Sequence, residues 1–330
     1  MEENKNRNIK KRIAFAFFVI IVFASILGEK NEESKNEDAK NWIYDNLDSY
    51  INSKENVISG TNPSQKILVV DVKGTIASNS NYEDFMKYTK NALNDDRIKA
   101  LILRVDSPGG TVYASEQISK RIKKIKKARN IPVYTVMESM AASGGYYISA
   151  ATDKIFASNE TWTGSIGVIM STYNFKGLFE KYGIKQVNFT SGKLKDMLAS
   201  GKEISKEDEE VALSLVNSAY ERFVKVVSEG RNMSEKDVKK LADGRIYDGS
   251  QAVKNGLVDE IGDFDDAVNE LTESLNLVDP TVFEYSNPSN YLTDLFSKVG
   301  EFKNNSELSI LNNFFEKSKK SPQIMYYYGE

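Results

Sequence analysis

Ala100-Leu-Ile-Leu-Arg-Val-Asp-Ser-Pro-Gly-Gly110 is an apolar run stopped by a turn, and the segment after it, 112–128, has helical spacing and a strongly basic outer face. A strand ended by Pro-Gly-Gly and followed at once by a helix is the repeating step of an α/β fold. The same rhythm continues outward from it. Upstream, 67–72 reads as a short apolar strand and 82–93 as a helix; downstream, 132–137 reads as a strand, and a helix begins near Ser143. Further strands are expected at 154–157 and 185–189. The segment 204–229 is a long amphipathic helix with Val211, Leu215, Tyr220, Phe223 and Val227 among its apolar positions, Ser234-Glu-Lys-Asp237 caps the next helix, and 263–275 forms another. Residues 276–330 read as polar and irregular, closing on the aromatic tail Gln323-Ile-Met-Tyr-Tyr-Tyr-Gly-Glu330. No internal repeat is visible, which implies one catalytic unit per chain.

Strands alternating with helices pair in parallel, so their carboxyl ends lie side by side, and ligands bind at such ends. Two of these ends carry glycine pairs. Asp106-Ser-Pro-Gly-Gly110 leaves backbone N–H groups pointing outward, which suits a developing oxyanion; as a plain turn it needs glycine only for positive φ. Met140-Ala-Ala-Ser-Gly-Gly-Tyr-Tyr-Ile148 places Ser143 among small residues where strand passes to helix, the setting that exposes a nucleophilic hydroxyl.

The chain has no histidine and no cysteine. A Ser-His-Asp triad and a thiol nucleophile are therefore impossible, and a working serine must lose its proton to a lysine or a carboxylate. Lys193 and Lys195, in Thr190-Ser-Gly-Lys-Leu-Lys-Asp-Met197, are the candidates; they alternate, so one can point inward while the other meets solvent. A lysine base must have its pKa lowered from about 10.4 toward about 7–8 by desolvation. Thr163-Gly-Ser-Ile-Gly167 offers Ser165 as a hydroxyl able to orient a lysine ammonium.

The same two absences remove disulfides, thiolate metal sites and Fe–S clusters, and leave only an all-carboxylate site for a transition metal. Chemistry without metal or cofactor is the expectation. A net charge of −3 over 330 residues lacks the basic excess of a general nucleic-acid binder.

At the N-terminus, Lys5, Arg7, Lys10, Lys11 and Arg12 precede an apolar run at 13–28, and a charged stretch follows directly. A positive flank before an apolar run stays cytoplasmic, which puts the remainder outside. The run is a little shorter than the roughly 20 residues that span a bilayer comfortably. It reads as an uncleaved signal anchor, a cleavable signal peptide being the alternative; Ala24-Ser-Ile26 is a poor cleavage site. The expected organisation is a cytoplasmic tail at 1–12, a transmembrane anchor at 13–28, a stalk and juxtamembrane segment at 29–62, a catalytic domain at 63–280 and a C-terminal extension at 281–330. Trp42, Tyr44, Leu47, Tyr50 and Ile51 are expected to lie on a short amphipathic helix, either near the membrane surface or docked on the catalytic domain.

Five blocks in this order resemble the signal peptide peptidase A family in its short, membrane-anchored bacterial form: Asp-Ser-Pro-Gly-Gly, Met-Ala-Ala-Ser-Gly-Gly-Tyr-Tyr, Thr-Gly-Ser-Ile-Gly-Val, Ser-Gly-Lys-Leu-Lys-Asp, and the segment from Gly244 to Asp259. The resemblance spans about 67–262. It implies the Clp protease and crotonase fold of repeated ββα units, and a serine endopeptidase that degrades signal peptides after their release, preferring small and apolar residues around the cut. It implies Ser143 as nucleophile, Lys195 rather than Lys193 as general base, Ser165 as the residue positioning that lysine, and Gly110 and Gly144 as backbone oxyanion donors. It further implies a ring-shaped homo-oligomer, an octamer in the short forms, with serine and lysine meeting across a subunit boundary. The competing readings are a related protease cutting other membrane proteins, a crotonase-like acyl-CoA enzyme and an inactive membrane scaffold. The aromatic tail at 323–328 itself looks like substrate, and is expected to reach an active site and be trimmed.

Overall fold

Side-chain alternation builds the centre of the sheet. Along the second strand, Ile67 and Val69 face one layer while Leu68, Val70 and Val72 face the other, and all five are buried. Successive strand residues point to opposite faces, so a run apolar at every position belongs to a strand covered on both sides. The structure, a computed structural model, describes residues 54–78, 80–286 and 324–327. From Glu55 onward these belong to one compact unit. The elements are β1 (Lys54–Ser59), β2 (Asn62–Lys73), α1 (Ser80–Asn94), β3 (Ile98–Ser107), β4 (Gly109–Thr111), α2 (Val112–Arg129), β5 (Val133–Ala142), α3 (Gly144–Ser149), β6 (Lys154–Ala157), β7 (Trp162–Gly164), β8 (Ile169–Met170), α4 (Lys176–Lys181), α5 (Lys206–Arg231), α6 (Glu235–Leu241), β9 (Ile246–Tyr247), α7 (Gly249–Lys254), β10 (Glu260–Ile261), α8 (Phe264–Ser274), β11 (Pro280–Ser286) and β12 (Ile324–Tyr327).

The main sheet runs β1-β11-β2-β3-β5-β6-β10, with β7 continuing the edge of β5 and β9 pairing antiparallel to β7. The pairs from β11 through β10 are parallel. One face is sealed by α1, α2, α3 and α5, whose Phe85, Ile118, Ile122, Tyr146 and Phe223 pack on Leu101, Leu103 and Val105. The other carries α8, with Ala267 and Leu271 against Ile67, Ala100 and Ile102. Each such fully buried aliphatic side chain is worth roughly 1.5–3 kcal/mol relative to exposure. The result is an α/β fold with a mixed sheet.

Three expectations are corrected. The segment 185–189 forms no strand: its residues have no regular structure, and Phe189 is 97% exposed. Alternation in Lys-Gln-Val-Asn-Phe reads as a strand, but among the described residues no strand pairs with it. Nor is the region after 276 wholly irregular. Pro280–Ser286 joins the main sheet beside β2, and Ile324–Tyr327 forms a second, three-stranded sheet in the order β4-β12-β8. On the N-terminal side the sheet already includes Lys54–Ser59, ahead of Pro63. The apolar run at 13–28 and the helix expected around Trp42 lie outside the described residues. Among the described residues no helix is long and apolar enough to cross a membrane.

Candidate active site

Strand β3 ends in the turn that becomes β4, and the close packing of this turn explains its glycines. A side-chain carbon on Gly110 would sit 1.8 Å from the carbonyl oxygen of Ile76, a clash that only glycine avoids. The chain is held there by Ile76 N–H donating to the Gly109 carbonyl at 2.8 Å and Thr111 N–H donating to the Ile76 carbonyl at 2.8 Å. Both bonds bypass the Gly110 N–H. Thr111 then caps α2, its hydroxyl accepting from Ala114 N–H, so the strand end and the helix start are fixed by one residue.

Strand β5 leads into the second glycine pair, Gly144 and Gly145. Between Val105 and Ser107 its pairing with β3 shifts register, and the slack is taken up by Asp106. That carboxylate accepts from the Ser139 hydroxyl and from Met140 N–H at 3.1 Å. Past this bulge, β5 pairs with β7 so that Ala142 lies opposite Gly164, and Ser143 N–H donates to the Gly164 carbonyl at 2.8 Å. Thr163 adds a hydroxyl bond to the Ala141 carbonyl at 2.7 Å.

Ser143 stands at the junction with φ 54° and ψ −112°, immediately before α3, and its hydroxyl is not spent on capping that helix. A non-glycine residue at positive φ is strained, and such strain gathers at functional sites because the surroundings must enforce it. Ser165 has the same feature, with φ 47°, and its N–H is tied to the Arg245 carbonyl at 2.8 Å. Both serines are buried. Gly144 opens α3, and the first N–H groups of a helix lack intrahelical acceptors. A carbon on Gly144 would lie 3.0 Å from Gly110 N, so the two glycine turns meet. Gly110, Ser143, Gly144 and Ser165 are thus gathered at adjacent strand ends.

Lys195 is not among them. It lies on the stretch between β8 and α5, where Leu198 is the one buried residue, and it is exposed. Among the described residues its ammonium has no ion-pair or hydrogen-bond partner. Lys193 is engaged, with Nζ 2.5 Å from Glu207 Oε2. The residue after Lys195 is anchored: Asp196 accepts from Lys202 at 2.9 Å and from Asn188 at 3.1 Å, contacts that hold its carboxyl below the usual carboxylate range. Lys202 also reaches the buried Asp208, whose carboxylate closes the capping box of α5. Around this stretch Tyr173, Tyr182, Ile184, Val187 and Phe189 are all exposed.

The site is occupied by the chain's own tail. Strand β12 lies antiparallel between β4 and β8, with Tyr326 opposite Gly110 and Met325 opposite both Thr111 and Ile169. Tyr326 is fully buried: its ring stacks on Tyr147 at 4.9 Å, leans on Phe223 at 4.6 Å, and its hydroxyl donates to the Ala219 carbonyl at 2.9 Å. Burial pushes the Tyr147 hydroxyl up to about 12 and the Tyr326 hydroxyl up as well. A carbon built on Gly109 would fall 2.2 Å from the Tyr326 carbonyl oxygen, 2.7 Å from Gly144 N and 3.0 Å from Ser143 Cβ. The peptide carbonyl of Tyr326 therefore lies beside the serine and the helix start. Sequence reasoning missed the pocket of Tyr147 and Phe223 and the bracing role of Asp106; nothing in their local sequence sets them apart from core and turn residues.

A model of peptidase family S49 matches residues 125–278, and one of the NfeD1b N-terminal domain matches residues 66–181. The chain is 41% identical to a protein of Enterococcus faecium named "Putative signal peptide peptidase SppA", over 99% of both chains. It is 36% identical to Protease 4 of Haemophilus influenzae, over 70% of this chain and 38% of that one. Among solved structures, a variant of the 1510-N membrane-bound stomatin-specific protease bound to a substrate peptide is similar at a TM-score of 0.47 and 18% identity, covering 71% of this chain and all of that one.

Proposed function

Because this chain belongs to peptidase family S49 and is a serine peptidase, we propose that it is a membrane-anchored endopeptidase that degrades released signal peptides, with Ser143 as nucleophile and Lys195 as general base. The observation that carries this reading is the seating of Ile324–Tyr327. An extended apolar segment is added as a strand beside β4, with a peptide carbonyl against Gly109 and Gly144 and next to Ser143. Adding a strand to a sheet edge is how proteins recognise extended peptides, the backbone giving affinity and pockets giving side-chain preference.

The chemistry follows from the placement. The Ser143 hydroxyl adds to the substrate carbonyl while its proton passes to the neutral Lys195 amine. The oxygen that gains the charge is held by the N–H groups of Gly110 and Gly144. Lys195 then returns the proton to the departing amine, leaving an acyl-serine that water hydrolyses by the same exchange. Ser165, braced by Arg245, orients the lysine through its hydroxyl.

Lys195 reaches a serine only if another copy of the chain supplies it. Its own segment buries almost nothing, carries eight exposed large apolar side chains and presents an ammonium without a partner among the described residues. Exposed apolar surface of this kind marks an association site. A head-to-tail contact that closes makes a ring, each subunit's lysine arm lying on its neighbour's serine site; an octamer is the ring we propose. The run at 13–28 anchors it, with 1–12 cytoplasmic, a stalk ahead of β1, a peptidase domain of Clp- and crotonase-like ββα units that runs from β1 through β11, of which β3-β4-α2 is one, and an extension beyond Ser286. Apolar signal peptides leaving the bilayer would meet a site kept beside it.

The test is mass spectrometry of the purified full chain incubated with a synthetic signal peptide. Wild type is expected to cut the peptide and to have lost its own last residues, while Ser143→Ala leaves the peptide whole and ends at Glu330. An intact tail on wild type alongside an uncut signal peptide would overturn the reading.

A further inference from the structure

We propose that the hydroxyl of Ser115 is a third donor to the oxyanion, beside the N–H groups of Gly110 and Gly144. The inference rests on the reading of Ser143 as nucleophile and adds a side chain to it. Ser115 lies in the first turns of α2, directly behind the glycine turn, and is fully buried. Its Oγ has no hydrogen-bond partner. Buried hydroxyls on helices ordinarily escape that state by donating to the carbonyl four residues back. This chain does so elsewhere: the buried Thr89 donates to Phe85 at 2.6 Å and the buried Ser149 to Gly145 at 2.8 Å. Ser115 does not. An unpaired buried hydroxyl costs stability, so its retention calls for a partner that arrives during function.

The surroundings indicate that partner. A carbon built on Gly144 would lie 2.7 Å from Ser115 Oγ, 3.0 Å from Gly110 N and 3.1 Å from the Tyr326 carbonyl oxygen. The hydroxyl, the Gly110 N–H and the peptide carbonyl thus border the same face of Gly144. When Ser143 adds to a carbonyl held there, the oxygen takes up negative charge and can accept one hydrogen bond more than the ground-state carbonyl. Ser115 O–H, with no competing acceptor, rotates to donate it, and no proton changes owner. A donor that engages chiefly in the transition state raises kcat and leaves KM nearly unchanged.

Full-length Ser115→Ala should therefore lose about 100-fold in kcat with KM within about twofold. Its affinity for a peptide aldehyde, which forms a tetrahedral adduct on the serine, should fall in parallel. Its melting temperature should stay equal or rise, because the unpaired hydroxyl is gone. Ser115→Cys, of similar shape but a weaker donor, should fall between. A kcat within about threefold of wild type, or a loss of activity that tracks a lowered melting temperature, would overturn the proposal. Ser143→Ala is run beside it. If that variant is inactive while Ser115→Ala keeps wild-type kcat, only the third donor falls; if Ser143→Ala is active, the reading of the site falls with it.

Discussion

Ser143→Ala is expected to retain no more than about one part in 10⁴ of wild-type peptide hydrolysis, with its fold and assembly unchanged. Removing a nucleophilic serine from a working pair costs between about 10⁴- and 10⁶-fold, because the remaining groups cannot act without it. Stability should be spared for a local reason. The Ser143 hydroxyl does not cap α3, and the residue is held by its backbone: its N–H donates to Gly164 and its carbonyl accepts from Tyr147 N–H, both at 2.8 Å. Alanine keeps both bonds and the same Cβ. Steady-state hydrolysis of a fluorogenic apolar peptide, with thermal melting alongside, checks this. Activity above about one hundredth of wild type in a folded variant would remove Ser143 from the chemistry.

Lys195→Ala should cost at least about 10³-fold in kcat, the scale of a lost general base, while Lys193→Ala keeps most of its activity. The contrast follows from what each ammonium touches. Lys193 is paired with Glu207 on its own subunit, and Lys195 is exposed without a partner among the described residues. Truncating an exposed, unpaired lysine removes no contact within the subunit, so a dead Lys195→Ala should melt and assemble like wild type. The turn that presents Lys195 is held separately, through Asp196, Lys202 and the buried Asp208. The reverse pattern, with Lys193→Ala inactive and Lys195→Ala active, would move the base by two residues. Loss of assembly in Lys195→Ala would make its inactivity uninformative about proton transfer, so ring size is measured on every variant.

The longer strands and helices that lead into the site are readable because each carries its own signal, whereas the short strands β4, β7 and β8 are not. The run at 100–105 is apolar at nearly every position and ends in Pro-Gly-Gly, and β3 occupies Ile98–Ser107. Val112–Arg129 is a helix where basic and apolar residues recur at helical spacing. Elements that depend on distant partners were not readable. Lys54–Ser59 is mostly polar and becomes a strand only by lying next to β11. The segment 185–189 has the right alternation and no partner, and stays irregular. The glycine turns and Ser143 announced themselves through small residues at strand ends. Ser115 did not, because a serine inside a helix looks ordinary until its missing partner is seen in three dimensions. Asp106 was hidden likewise, since its acceptor role depends on a register shift between two strands. The tail could be read as substrate-like from its aromatic residues, but its place between β4 and β8 needed the fold.

A Ser143–Lys195 pair shared between two copies of the chain is tested most directly by mixing two inactive variants. Ser143→Ala chains still carry Lys195, and Lys195→Ala chains still carry Ser143. In rings assembled by co-expression of equal amounts, about one site in four would join an intact serine to a neighbour's intact lysine. The account predicts that such mixed rings recover about a quarter of wild-type peptide hydrolysis, while each variant alone stays inactive. Mixed rings of normal size that remain as inactive as their parents would contradict it.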